Sequence, residues 1–460
     1  FLTCCKRFQF KKDRTTIRLK GMKIMHLKSF IGGIHPKDQK HYTKDLPIIK
    51  LNASDEVVFL LKQHIGAPCK PLVKIKDEVK VGQKIACEDG FVSSPIISSV
   101  SGTVKAIEER MDISGKMQQA IVINNDGLYQ SIEIGTNDYK SLSYEDKIEK
   151  IKEAGIVGLG GAGFPTHVKL SVKDINKVHY FIVNGAECEP YLTSDYRLML
   201  EKTDELIDGI HVILDMFPKA ICYIAIEDNK KEAISLLEEK CKDEDKIEVK
   251  ALKTKYPQGG ERMLIKVLTG KMLNSKMLPI DVGCIVDNVA TTIAINQAVR
   301  YNQPLFSKVM TISGEGIKPC NIEVPLGTSF QFIVDQLGGL KGEIKKLICG
   351  GPMMGSALMT LDLPVTKTTS AILAMNQDEV SLYEPSACIR CGRCLDVCPS
   401  LLKPQTLYQI ALKNDTEAFI KNQGMDCIEC GCCSYTCPAK RNMTQAFKKM
   451  KYLVSINKRK

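Results

Sequence analysis

Residues 388–399 read CIRCGRCLDVCP and residues 427–438 read CIECGCCSYTCP. Each run spaces four cysteines as C-x2-C-x2-C-x3-C and ends in proline: Cys388, Cys391, Cys394 and Cys398 before Pro399, then Cys427, Cys430, Cys433 and Cys437 before Pro438. Three thiolates two residues apart wrap a loop around one corner of a 4Fe-4S cubane, with backbone N–H groups turned toward its sulfurs. The fourth cysteine of each run reaches across to the other cluster, so the pattern requires two copies. A zinc site takes four ligands from paired knuckles and would leave cysteines over. The runs therefore predict two 4Fe-4S clusters on these eight cysteines, in a helical C-terminal domain spanning 379–460. Cys432, inside the second run, is surplus and is expected to be a buried spare thiol.

The other ten of the 19 cysteines, from Cys4 to Cys349, show no paired spacing apart from Cys4-Cys5, which fits a reducing compartment better than a disulfide scaffold. A content of 44% hydrophobic and 25% charged residues is that of a globular chain, and 460 residues allow about three domains. No run free of Asp, Glu, Lys and Arg exceeds 15 residues, and one of that length, 347–361, is interrupted by Gly350-Gly-Pro. A membrane-spanning helix, which takes roughly 18 or more apolar residues, is not expected. Charges also break up residues 1–23, so no apolar signal core is read there and the chain is read as cytoplasmic.

The net charge of +11 is unevenly placed. Residues 1–24 carry eight Lys/Arg against Asp13 and residues 440–460 carry eight against no acid, so the two ends hold +15 and residues 25–439 hold −4. A folded nucleic-acid binder carries its basic face on the core, and no nucleic-acid partner is expected. Basic ends on a mildly acidic body fit an acidic protein partner, an anionic membrane surface or plain solvation. Residues 1–24 are expected to form a basic tail that is non-native or disordered.

Upstream of the cysteine runs the pattern changes three times. From 25 to 135, short runs such as Val79-Lys-Val-Gly-Gln-Lys-Ile85 and Val100-Ser-Gly-Thr-Val104 lie between turn residues and predict a small barrel or sandwich. Their pairing resembles the barrel-sandwich hybrid of lipoyl and biotinyl domains. Those domains carry a modified lysine between the two halves; residues 87–99 contain none, so a structural module without a swinging arm is expected. From 136 to 300 strands alternate with helices. Phe181–Val183 and Ile221–Ile226 read as strands. Met199, Leu206, Ile210, Ile213 and Phe217 read as one amphipathic helix ended by Pro218, and 228–241 as another. This order implies a mainly parallel sheet with ligands at strand C-termini. From 301 to 378, Val309–Pro319, Asn321–Thr328 and Phe330–Leu337 read as strand, strand and helix.

The α/β segment contains the loop Gly158-Leu-Gly160-Gly161-Ala-Gly163-Phe-Pro165-Thr-His-Val-Lys169. Glycines let the backbone approach a phosphate, Pro165 suits the first turn of a helix, and Lys169 is placed to reach the same anion. Such a loop is weak by itself and also occurs as a plain turn. Two more polar loops follow apolar strands, Asn184-Gly-Ala-Glu187-Cys-Glu189-Pro190 and Asp287-Asn288-Val-Ala-Thr291, and Tyr256-Pro-Gln-Gly-Gly260-Glu261-Arg262 opens a helix.

Taken together, these loops resemble the flavin- and NADH-binding subunit of respiratory complex I. With Tyr256–Gly259, Gly350-Gly-Pro-Met-Met-Gly355 and Pro364-Val-Thr-Lys367 added, residues 25 to 455 more closely resemble the RnfC family of the Rnf electron-transport (ferredoxin:NAD+ oxidoreductase) complex. The resemblance implies FMN phosphate on Gly158, Gly160, Gly161, Gly163 and Lys169, and flavin ring or ribityl contacts to Asn184, Asn288 and Thr291. It places Glu189 and Glu261, the candidate catalytic groups, near the nicotinamide and ribose of NAD(H). It implies a β-grasp module of the soluble-ligand-binding type at 301–378, read here as a spacer between flavin and clusters. The implied setting is a peripheral subunit on the cytoplasmic face of the membrane. Its partners would be the membrane and iron–sulfur subunits of an Rnf complex and, indirectly, ferredoxin, with ferredoxin oxidation and NAD+ reduction coupled to transport of Na+ or H+.

The chain departs from the complex I pattern at Ala186, where that family has an aspartate, and at Arg262 and Ala290, where it has glutamates. Two rivals stay open on sequence: a soluble cobalamin reductase with the same domain order, and a passive iron–sulfur wire whose α/β domain holds no flavin. The expected fold is thus a multidomain α/β chain of barrel-sandwich hybrid, FMN/NADH domain, β-grasp module and two-cluster ferredoxin domain. Electrons would pass between two-electron hydride chemistry and one-electron clusters through the flavin.

Overall fold

The structure, a computed structural model, describes residues 27–378 and 380–457, so the basic tail expected at 1–24 lies outside the described residues. Two small antiparallel sheets come first. Glu56–Leu60, Met117–Asn125, Gly102–Met111 and Glu78–Val79 form one, and Lys70–Pro71, Lys84–Cys87 and Ile96–Ile97 the other. Val57, Phe59, Ile85, Ile96, Val104, Ile121 and Ile123 face inward and are buried, in the alternation that half-buried strands require. Strand Ile48–Lys50, placed with this module by the sequence reading, instead pairs in parallel with Cys320–Pro325 far along the chain. The buried Asn321 amide pins it there by donating to Thr43 O (2.9 Å) and Leu46 O (3.2 Å).

The α/β segment forms four parallel strands in the order Ile247–Leu252, Ile221–Glu227, Tyr180–Gly185, Cys284–Asn288. The chain moves outward from Tyr180–Gly185 on one side, then crosses to lay its fourth strand on the other. Connections thus leave the first and fourth strands in opposite directions and open a crevice at their C-terminal ends, the usual ligand position in such sheets. Asn184 and Asn288 are register partners across that crevice. The single helix expected over 199–217 is two, Ser194–Glu201 and Thr203–Met216, broken at Lys202. The Thr203 hydroxyl folds back to donate to Met199 O (2.7 Å), and Asp204 and Glu205 start the second helix with charge suited to its N-terminal dipole.

A six-stranded mixed sheet follows. Ser307–Ser313 and Ala371–Met375 run parallel at its centre, and each has an antiparallel neighbour, Cys320–Pro325 and Lys346–Cys349 respectively. This is the strand order of a β-grasp, and Phe330, Ile333 and Val334 bury the face of the helix Phe330–Gln336. The C-terminal segment is helical, with Pro404–Leu412 and Met443–Asn457 closing on a core of Leu407, Phe419, Phe447 and Met450. Among the described residues no helix is long and apolar enough to cross a membrane.

Candidate electron-transfer site

The cysteines gather into two hollows. One is lined by Cys388, Cys391, Cys394 and Cys437, the other by Cys398, Cys427, Cys430 and Cys433. Each takes three thiols from one run and the last from the other, which is the crossed arrangement that the spacing predicts. Among the described residues no three His, Cys, Asp or Glu side chains gather closely enough to hold a single metal ion. Thiols spread around a hollow fit the corners of a cubane, and a one-ion zinc site does not fit them. Cys432 is fully buried at the edge of the second hollow, with its sulfur 3.9 Å from Tyr256 O.

The glycine loop sits at the crevice between the Asn184 and Asn288 strands. Gly158 N donates to Phe164 O (2.9 Å) and Leu159 N to the Thr291 hydroxyl (2.9 Å), while buried Lys308 donates to Leu159 O from the β-grasp sheet. Past these anchors Gly160, Gly161 and Ala162 are exposed. Among the described residues no protein acceptor meets the N–H groups of 160–163, so this stretch presents free donors. Only two of its glycines are forced by packing. A Cβ on Gly160 would lie 2.7 Å from Asn288 Nδ2, and Gly163 has φ +68° with Thr368 Cγ2 2.6 Å from the Cβ position. Gly161 faces open space. The helix after the loop, Thr166–Leu170, is a single turn, so attraction for an anion rests on the loop donors and not on a helix dipole.

Most of the expected polar contacts have protein partners of their own. Thr291 holds the glycine loop. Asn184 Nδ2 donates to Gly259 O (2.8 Å), and Asn288 caps its helix through Ala290 N (2.9 Å) while donating to Asp195 Oδ2 (2.6 Å). The Lys169 ammonium binds buried Asp287 (2.7 Å) and Val286 O (2.8 Å). Burial pushes the Asp287 carboxyl up against the pull of Lys169, and its Oδ2 has no partner. Glu261 is exposed at the crevice mouth, yet its crowded surroundings hold its carboxyl above the ordinary range through desolvation.

Glu189 departs from the expectation of a group free to face the nicotinamide. Its two oxygens accept the N–H groups of Met353 (3.0 Å) and Met354 (2.9 Å), and Gly351 packs directly against it. Glu189 thereby clamps the Gly350–Gly355 loop onto the α/β module. Burial raises its carboxyl to about 7, with the two N–H groups and Lys40 opposing. A folded pKa above the unfolded value of 4.5 means that the folded chain holds the extra proton. Stability from this group is therefore full at low pH and falls as pH rises from 4.5 to about 7, by about 3 kcal/mol. Glu189→Gln is expected to flatten that interval, as read by urea midpoints of the reconstituted protein between about pH 5 and 8.

Several charged residues escaped the sequence reading. Lys40, Lys230, Glu227 and Lys308 are buried around the crevice, and Asp195 joins Glu187 to Asn288 by accepting from Asn288 and donating its N–H to Glu187 Oε1 (2.7 Å). Burial pushes Asp195 up and Lys308 down. A charge inside an apolar run, as in Ile221–Glu227 or Ser307–Ser313, was the available signal; Lys40 offered none.

The crevice and the second hollow share one loop. Gly259 carries Asn184 on its carbonyl and meets the Cys188 sulfur at 3.3 Å. Three residues earlier, Tyr256 donates its hydroxyl to Cys430 O (2.8 Å). Arg262 Nη1 donates to Asp426 O (3.3 Å), and Gly33 N to Val397 O (2.8 Å). The hollow closed by Cys398 is thus proximal to the crevice and the one closed by Cys437 is distal.

Comparison with known proteins agrees along the chain. Residues 28–128 match the RnfC barrel sandwich hybrid domain, 151–297 the Nuo51 FMN-binding domain and 381–440 a 4Fe-4S dicluster domain. The chain is 48% identical over 391 residues to the RnfC-type component of the proton-translocating ferredoxin:NAD(+) oxidoreductase complex of Clostridium ljungdahlii, covering 84% of this chain and 85% of that protein. It is 41% identical over 436 residues to the Na(+)-translocating counterpart of Acetobacterium woodii, covering 94% and 98%. It is also 38% identical to the corresponding component of the ion-translocating oxidoreductase complex of Pseudomonas aeruginosa, covering 87% of this chain and 52% of that longer protein. With matched modules in matched order and identity of this extent, the chain belongs to the RnfC family of ion-translocating ferredoxin:NAD+ oxidoreductase components.

Proposed function

We propose that the chain is the NADH-linked oxidoreductase subunit of a membrane-bound Rnf complex. It passes electrons between NAD(H), FMN and two 4Fe-4S clusters, and its partner subunits couple ferredoxin oxidation and NAD+ reduction to Na+ or H+ transport. It works at the cytoplasmic face of the membrane as a peripheral subunit. The observation that carries the reading is the Tyr256–Gly260 loop, one end of which meets Asn184 in the crevice and the other the frame of the proximal hollow.

FMN, when bound, supplies the conversion between two-electron hydride chemistry and one-electron cluster chemistry. The chain's own groups do the rest. The donors of Gly160–Gly163 hold the phosphate, with Gly158 shaping the turn and Lys169 adding charge. Asn184, Asn288 and Thr291 set the crevice walls. Glu261 at the mouth orients the dinucleotide, and Glu189 positions the Gly350–Gly355 loop against the crevice. Cys388, Cys391, Cys394 and Cys437 hold the distal cluster, and Cys398, Cys427, Cys430 and Cys433 the proximal one.

An anaerobic NADH titration of the reconstituted protein tests this, following flavin and iron–sulfur absorbance together. Bleaching of both is expected. A flavin band that is missing or unmoved, while dithionite still bleaches the clusters, would leave the passive wire in its place. Lys169→Ala is expected to weaken flavin retention and also to cost about 3–5 kcal/mol, because it strands Asp287. Adding Asp287→Asn should restore the urea midpoint and leave flavin content low; full flavin content in the double variant would remove Lys169 from the phosphate site.

A further inference from the structure

The two hollows differ in their surroundings. The proximal one is walled by Gly33, Tyr256 and Arg262. The distal one opens outward: Cys391 is exposed, and beside it Ile389 is 68% exposed. Its lining includes Arg390, Arg393 and Arg441 and no acidic residue. Lys440 stands 4.8 Å over the ring of Tyr383, which is itself 56% exposed. Ser386 N ties this segment to Ala439 O at the edge of the hollow, and Val380 and Leu382, 71% and 73% exposed, extend the apolar strip away from the thiols. Among the described residues none of the four cations makes an ion pair.

Unpaired arginines set among exposed Ile, Leu, Val and Tyr side chains have the composition of an interface core and its steering charge. Exposed apolar residues scattered singly need no explanation, but here they ring the one hollow that opens to solvent. Cations around a cluster also offset its own negative charge. That role requires neither the apolar strip nor Lys440, which sits over Tyr383.

We propose that this face is the docking site of an acidic electron-transfer protein, which exchanges electrons with the chain through the distal cluster. The inference rests on the cluster assignment made under the proposed function. One electron passes per encounter between the carrier's redox centre and the distal cluster, and no bond is made or broken. Positive charge on this face steers the acidic carrier and selects its orientation, and the apolar strip holds it within transfer distance.

The test uses the full reconstituted chain and, as probe, a small acidic two-cluster bacterial ferredoxin, with anaerobic calorimetry as the readout. Binding is expected to weaken about ten-fold or more between about 50 and about 300 mM salt. Arg390→Glu with Arg393→Glu should weaken it by a similar factor at low salt, with iron content and NADH bleaching retained. Those arginines adjoin cluster cysteines, so Val380→Asp with Leu382→Asp provides a second variant clear of the thiols, and weaker binding is expected there too.

Affinity indifferent to salt and to both variant pairs would overturn the docking face. So would retained ferredoxin binding in variants that instead lose attachment to vesicles of anionic lipid, which would give the face to the membrane. A chain that binds as expected but holds fewer than two clusters would leave the docking face standing and sink the cluster assignment.

Discussion

Cys398→Ala is expected to lower iron from about eight to about four per chain and to stop NADH from bleaching the cluster that remains, while dithionite still bleaches it. Cys398 belongs by sequence to the first run, but it lines the hollow of Cys427, Cys430 and Cys433. Its loss therefore removes the proximal cluster, the only one whose frame meets the Tyr256 loop. The distal cluster survives on Cys388, Cys391, Cys394 and Cys437 but is cut off from the crevice.

Cys437→Ala is the mirror case. It should also remove about four irons, yet NADH should still bleach flavin and proximal cluster together. If each run instead held its own cluster, the two outcomes would exchange: Cys398→Ala would leave the NADH response of the proximal cluster intact. Iron and acid-labile sulfide assays with parallel NADH and dithionite titrations separate the two arrangements. Cys432→Ala should change neither count, since its sulfur points to the Tyr256 carbonyl.

The crossed hollows were legible because cluster ligation is written in local spacing, and the glycine loop because close backbone approach demands a residue type. Alternating strands and helices gave the parallel sheet for the same reason: period and turn chemistry act within about ten residues. What escaped depends on distant partners. Nothing near Ile48 announces that it adds to a strand more than 270 residues away, a pairing fixed by the buried amide of Asn321. Glu189 reads as an acid beside a cofactor until Met353 and Met354 are seen to take both of its oxygens. Asn184, Asn288 and Thr291 lie where the loops predicted, but their hydrogen bonds go to Gly259, Asp195 and Leu159, so they shape the crevice through other residues.

Lys40→Met is expected to destabilise the chain by about 3–5 kcal/mol and to loosen the flavin crevice, although Lys40 lies more than 100 residues from any expected cofactor contact. Its buried ammonium donates to Glu189 O (3.0 Å) and Leu192 O and sits 3.8 Å from Glu187 Oε2, an oxygen with no hydrogen-bond partner of its own. Glu187 accepts from Asp195 N, Asp195 accepts from Asn288, and Asn288 packs against Gly160. Removing the ammonium strands the Glu187 carboxylate, held at φ +46° in a buried loop. The stranded acid can return to neutrality only by taking a proton, so its folded pKa should rise above the unfolded value. The deficit should then be largest at neutral pH and shrink as pH falls toward the ordinary carboxylate range. Glu187→Gln in the Lys40→Met background should recover most of the loss, because it removes the charge and keeps an acceptor for Asp195 N. Urea midpoints of the two variants across that pH range, with flavin content measured beside them, decide the matter. A deficit independent of pH and unrelieved by Glu187→Gln would make Lys40 a packing residue alone.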